Sequence, residues 1–231
     1  LLPPAAIAAA CIALVTCLTP VTLYLFWLAA VNRRDRPTVA DGRWDFVGLL
    51  AALGGFLVCG WAAVSLWAAD LSPFVGGGFG NVWKARAVNS LGWAAAVGGY
   101  AVLVGGLAAR GWRRRAGTLA VYNVEPAAAD DAVRDALAGV GLSAERYGNT
   151  WSDGRGLVEA VPFHALKHVS VRILATDPQL REELERGLRA ALGRRPGADN
   201  PAAAWIGTAA VSTFVTTAVA IGLMFVMLFF R

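Results

Sequence analysis

Charge is what this sequence has least of. Only 16 % of its 231 residues are Asp, Glu, Lys or Arg, and 57 % are hydrophobic, against about 25 % charged in a typical soluble chain. That composition excludes a disordered chain and a collagen-like one. Three cysteines (Cys11, Cys17 and Cys59) are too few for a disulfide scaffold, and none stands in a C-x-x-C spacing. Each is read as a small buried hydrophobe. Two histidines, His164 and His168, are the whole supply. Pro162 precedes them and His168 opens a strand pattern, so their i,i+4 spacing loses the meaning it would have on a helix. We therefore expect no metal site and no cofactor. The hydrolase signatures G-x-S-x-G and H-E-x-x-H are missing, and the expectation is a protein that is not an enzyme.

The shortage of charge is concentrated. Windows 5–31, 46–69, 91–109 and 202–230 contain no Asp, Glu, Lys, Arg or His, while the remaining residues are about 28 % charged. A bilayer core about 30 Å thick takes about 20 apolar residues as helix, and lipid forces each segment to satisfy its own backbone. The windows predict four transmembrane helices. Trp27, Trp44, Trp61, Trp67, Trp93, Trp112 and Trp205 fall at or near their ends, where an indole is apolar on its body and wet at its N–H. With no ionisable residue inside any window, a proton relay or gating charge of the usual kind is excluded. The first window has no basic flank before Arg33 and runs to Val31, too long for a signal-peptide core, so it is read as a span.

Basic residues set the expected orientation. Arg33, Arg34, Arg36, Arg43, Arg110, Arg113, Arg114, Arg115, Arg194 and Arg195 flank one side, and Lys84, Arg86 and Arg231 the other. The richer side is expected to be cytoplasmic. Both termini then lie outside an inner or plasma membrane, with residues 116–195 in the cytoplasm. Arg33, Arg34, Arg36, Arg113, Arg114 and Arg115 are candidates for anionic lipid headgroups. The net charge of +5 is not a nucleic-acid signal, because residues 116–195 hold ten basic and eleven acidic side chains.

The expected organisation is 1–115 with three transmembrane helices, 116–195 as a small inserted α+β domain, and 196–231 with the fourth helix. Within the insert, Thr118–Val124, Glu145–Trp151, Leu157–Phe163 and His168–Leu174 alternate as strands. Ala127–Val140 and Pro178–Leu192 read as helices, the second with Asp177 as N-cap and Gly193 as its C′ stop. This β-α-β-β-β-α order contains the α-β-β-β-α layout of double-stranded-RNA-binding domains. Glu182, Glu183 and Glu185 on the last helix, with the net acidity, argue against phosphate binding.

Two patterns inside the windows carry the functional expectation. Gly48, Gly55, Ala62 and Ala69, and then Gly92, Gly99 and Gly106, recur every seven residues, a period that keeps one small-residue face towards a partner helix. Thr208, Ser212 and Thr216, beside Thr213 and Thr217, give the last window a hydroxyl face suited to lining a wetted pathway. The same hydroxyls can instead bond back to their own helix. The glycines of Ser72–Asn81 leave a re-entrant loop as a lesser alternative. The expected function is an accessory or scaffold subunit of a larger membrane complex, with membrane lipid and other subunits as partners and the insert as docking surface. The alternative is a homo-oligomeric channel lined by the Thr208/Ser212/Thr216 face.

Overall fold

The computed structural model describes residues 4–70, 82–153 and 157–229. It is mostly helical, with one small antiparallel sheet. Helix α1 spans Pro4–Val31, α2 Gly42–Asp70 and α3 Val82–Arg114. The last helix, α6, spans Ala202–Phe229. Among the described residues three stretches are long and apolar enough to cross a membrane: Ile7–Val31, Gly42–Gly60 and Ala202–Met227. Window 91–109 lies within α3, which also takes in Trp83 and Arg110–Arg114. Trp83 and Arg110–Arg114 are thus helical.

Contacts divide the chain into two compact units. One comprises Leu1–Val21, Leu50–Arg114 and Thr213–Arg231, the other Thr22–Leu49 and Arg115–Ser212. In the first unit the helices meet at small residues. A Cβ on Gly55 would run into the Thr16 carbonyl and lie 2.6 Å from Cys17 Cα. Pro20 inside α1 has no N–H to return to the Thr16 carbonyl, so that oxygen lacks its helical donor where Gly55 approaches it. Cys17 and Cys59 bring their sulfurs to 3.2 Å, and the Tyr100 hydroxyl donates to the Leu57 carbonyl at 2.9 Å.

The second unit holds the α+β domain. Its sheet has strands β1 (Thr38–Asp41), β2 (Thr118–Tyr122), β3 (Glu145–Tyr147), β4 (Thr150–Ser152), β5 (Val158–Phe163) and β6 (His168–Ile173). They stand in the order β1-β2-β6-β5-β4-β3, every pair antiparallel. Leu119 and Val121 of β2, Val158 and Ala160 of β5, and Val169, Val171 and Ile173 of β6 point to one face. Helices α4 (Pro126–Gly139) and α5 (Pro178–Gly193) cover it with Val133, Leu137, Leu184, Leu188 and Leu192. The two helices come together where Gly187 meets Ala136. Ala120 and Tyr122 point to the opposite face and pack with Val31 and Leu28, at the end of α1, and with Ala40.

Three details differ from the sequence expectation. Glu145–Trp151 is a hairpin, not one strand, because Gly148 takes φ +63° and turns the chain over Gly148-Asn149. Gly193 belongs to α5, and Arg194 caps it in a right-handed conformation, so there is no left-handed glycine stop. Strand β1 lies outside 116–195 and comes from the connection between α1 and α2. Asp177 does cap α5, accepting from the Gln179 N–H at 3.0 Å, with Pro178 at the first position.

Candidate functional site

A buried polar network of the second unit gathers on the sheet face that α4 and α5 leave uncovered. Its centre is Asp45, in the first turn of α2. Asp41, the last residue of β1, starts that helix by accepting from the Arg43 N–H at 2.7 Å, as a capping side chain does. One turn on, Asp45 has a side chain only 9 % exposed. Its Oδ1 accepts from the Tyr122 hydroxyl, and its Oδ2 accepts from Arg115 Nη1 at 3.3 Å. The Arg115 guanidinium also lies over the Phe46 ring, 5.0 Å from its centroid. The Tyr122 oxygen is left to pair with Tyr24. Burial first, and then the Asp45 carboxylate against its hydroxyl, hold the Tyr122 phenol far above its usual range. Tyr122 therefore stays a donor at any ordinary pH.

Aromatic rings extend this network in two directions. Trp27 meets Tyr122 edge-on at 5.8 Å and Tyr24 at 5.6 Å. His168 lies against Tyr122 at 4.8 Å. His168 is thus half-buried against an aromatic ring. Burial pushes its pKa below the usual value, Asp45 pulls it part of the way back, and Arg115 pushes it down again. Its Nε2 is buried with no partner among the described residues. His164 lies in a short turn before β6 and is exposed. No group of three or more potential metal ligands occurs among the described residues.

Beside the network a cavity of about 320 Å³ opens, lined by Tyr24, Trp27, Ala40, Trp44, Asp45 and Gly48. Polar clamps complete this face of the unit. Asn200 donates to the Asn32 side chain at 2.8 Å and to the Leu166 carbonyl at 3.0 Å, and its own Oδ1 accepts from the Ala202 N–H at the start of α6. Asn123, in the left-handed region at φ +58°, donates to the Arg34 carbonyl at 2.6 Å. Gly197 passes so close to Arg34 and Asp35 that a Cβ would lie 2.7 Å from the Arg34 carbonyl oxygen. Its N–H donates to the Asp35 carbonyl.

The candidate residues read from sequence are dispersed. Of the headgroup candidates, Arg33, Arg34, Arg36, Arg113 and Arg114 are exposed, while Arg115 is engaged by Asp45. The hydroxyl face divides: Thr208, Ser212 and Thr216 are exposed, Thr213 is half-buried and Thr217 buried. Thr208 and Thr217 donate back to the carbonyls of Ala204 and Thr213. Of the small residues, Gly55 makes the close approach described above and Gly48 lies in ordinary contact with the Tyr24 ring, whereas Gly99 and Gly106 have open space around them. Ala62, Ala69 and Gly92 lie in helices outside the residues whose side chains are described, and the Gly76–Gly80 loop lies outside the described residues altogether. Sequence reasoning missed the Asp45 network. In the sequence Asp45 stands 77 residues from its partner Tyr122. Comparison of the chain with protein-family models, curated proteins and solved structures finds no match.

Proposed function

We propose that the chain is a four-span, non-enzymatic subunit of a larger membrane complex, whose α+β domain is a cytoplasmic docking platform. The observation that carries this is the pairing of β1 with β2. Open sheet edges do not occur in lipid, so residues 38–41 and 118–122 share one side of the membrane. The chain leaves that side through α2 and needs α3 to return. This supports α3 as a fourth span, giving α1, α2, α3 and α6. The arginine surplus supports a cytoplasmic position for the shared side, with both termini outside.

The same pairing favours a platform over a tethered module. Strand β1, the Asn200–Asn32 clamp and the Asp45–Arg115 pair join the domain to the ends of α1, α2 and α6 within one compact unit. A partner gripping the domain therefore grips those helix ends. The outward side of α4 and α5 offers a shallow mixed-charge depression, with Asp135, Glu183, Arg186 and Arg194 around Gly187 and Ala190. The test is the native mass and protein composition of the complex extracted from its own membranes. The platform reading predicts a second protein in fixed stoichiometry that is lost from Arg186→Glu and Arg189→Glu. A complex of this chain alone would overturn it.

The exposure of Thr208, Ser212 and Thr216 on an otherwise apolar helix favours one second reading, a homo-oligomeric channel with that face on its axis. Leu at all three positions would then abolish conductance while assembly survives. Unchanged conductance excludes the pathway.

A further inference from the structure

We propose that the cavity beside Asp45 is a binding site for the ammonium headgroup of a zwitterionic phospholipid, of the phosphatidylethanolamine type. The chemistry of its wall carries the proposal. Three aromatic side chains (Tyr24, Trp27 and Trp44) and one carboxylate (Asp45) face a space of about 320 Å³, with Ala40 and Gly48 completing the lining. Aromatic faces attract a cation through their quadrupole, most strongly when water is excluded. Asp45 brings a carboxylate to the same place, its charge shared with Arg115, and its side chain is nearly sealed from solvent. Tyr122 occupies one lone pair of Oδ1, and Arg115 one of Oδ2. A carboxylate offers about four such positions, so acceptor capacity remains for an N–H donor.

Depth selects the source of that cation. Tyr24 lies seven residues before the end of α1, and Gly48 six residues after the start of α2, about 10 Å along either helix. Trp27 and Trp44 stand nearer those ends, with 40 % and 69 % of their surface exposed, as indoles do in the headgroup layer. A soluble amine would have to enter this layer alone. A lipid brings its ammonium there already, with acyl chains to lie along the apolar surfaces of α1 and α2. A headgroup without an ammonium has no such fit, because the wall offers aromatic faces and a carboxylate. The small residue at position 48 keeps the space open. Its Cβ would sit in ordinary contact, 3.5 Å from the Tyr24 ring, so a larger side chain there extends into the cavity without displacing backbone.

The experiment is native mass spectrometry of the purified full chain. It is titrated with phosphatidylethanolamine, with phosphatidylglycerol of the same acyl chains, and with water-soluble glycerophosphoethanolamine. Wild type is expected to retain phosphatidylethanolamine at least fivefold better than either alternative. Gly48→Val, which fills the cavity, and Trp44→Ala, which removes an aromatic wall, are each expected to abolish that preference. Both are expected to leave phosphatidylglycerol adducts unchanged. Circular dichroism checks the fold of each variant. Should Gly48→Val fail to fold, Trp44→Ala decides alone, since its ring is mostly exposed and little packing is lost with it. A phosphatidylethanolamine preference that survives in the folded variants overturns the proposal. Equal retention of the two lipids in wild type, or equal binding of the soluble amine, does the same.

Discussion

The two units hold together by different means. Where α1 and α2 meet in the first, the contact is backbone on backbone: Gly55 lies on the Thr16 carbonyl with no side chain between. Lipid gives apolar side chains no reason to hide from one another, so packing distance is what associates such helices. In the second unit water is the alternative environment for the sheet. There Leu137, Leu184, Leu192, Val121, Val169 and Val171 are all but fully buried on one face, and polar pairs organise the other. The lesson is that a missing atom makes the α1–α2 contact of the first unit, whereas present atoms make the core of the sheet in the second.

That contrast can be broken by substitution. The largest effect is expected from Gly55→Leu. The obstructing atoms are backbone and cannot turn aside, so the change falls at or beyond the upper end of overpacking, about 3 kcal/mol. Loss of the folded chain in a detergent thermal scan checks it, and near-wild-type stability would mean the approach is not needed. Leu184→Ala removes side-chain atoms from a site 2 % exposed and is expected to cost about 3 kcal/mol, read as a lower midpoint for the sheet-containing unit. Asp45→Ala leaves the Tyr122 hydroxyl and the Arg115 guanidinium without their acceptor. About 2 kcal/mol is expected, less than for a fully buried pair because the Arg115 side chain is 40 % exposed. Asn200→Ala removes two donated bonds and the cap at the start of α6, worth about 1–2 kcal/mol. A midpoint unmoved by Asn200→Ala would show the clamp to be ornamental.

The smallest expected effect depends on pH. His168 has a lowered pKa in the folded chain, so below its ordinary value of 6.5 the unfolded chain takes up a proton that the folded chain refuses. Stability from this group is unaffected above that value. It falls as pH drops from 6.5 to the lowered folded value, then levels off. The wild-type midpoint should therefore decline more than that of His168→Gln between about pH 7 and pH 5. Parallel curves would place the proton elsewhere.

Legibility from sequence follows the same division. The apolar face of the sheet repeats every second residue and that of α5 every third or fourth, so Thr118–Tyr122, His168–Ile173 and Pro178–Gly193 lie close to where alternation and capping put them. The Gly148-Asn149 turn was signalled by its own dipeptide and overridden by the alternation around it. Strand β1 has no such signal. Thr38–Asp41 is four residues long, follows Pro37, and owes its extended form to a partner far along the chain. Asp45 was hidden for the same reason. Its neighbours in sequence reveal a helix start, but Tyr122 and Arg115 are brought to it by the sheet. Spacing alone makes the hydroxyl face a single stripe, because it gives an angle around a helix and not what stands beside it.

Strand β1 also imposes a schedule on synthesis. About 80 residues separate it from the strand it pairs with. At 5–20 residues per second, a ribosome takes about 4–16 s to supply them. Throughout that interval Thr38–Asp41 is complete and has no strand to join, while the chain between is still being made. The edge must survive this wait without recruiting a neighbour. Its brevity, and an acidic residue at its end, are the features that keep a waiting edge from pairing with the wrong chain.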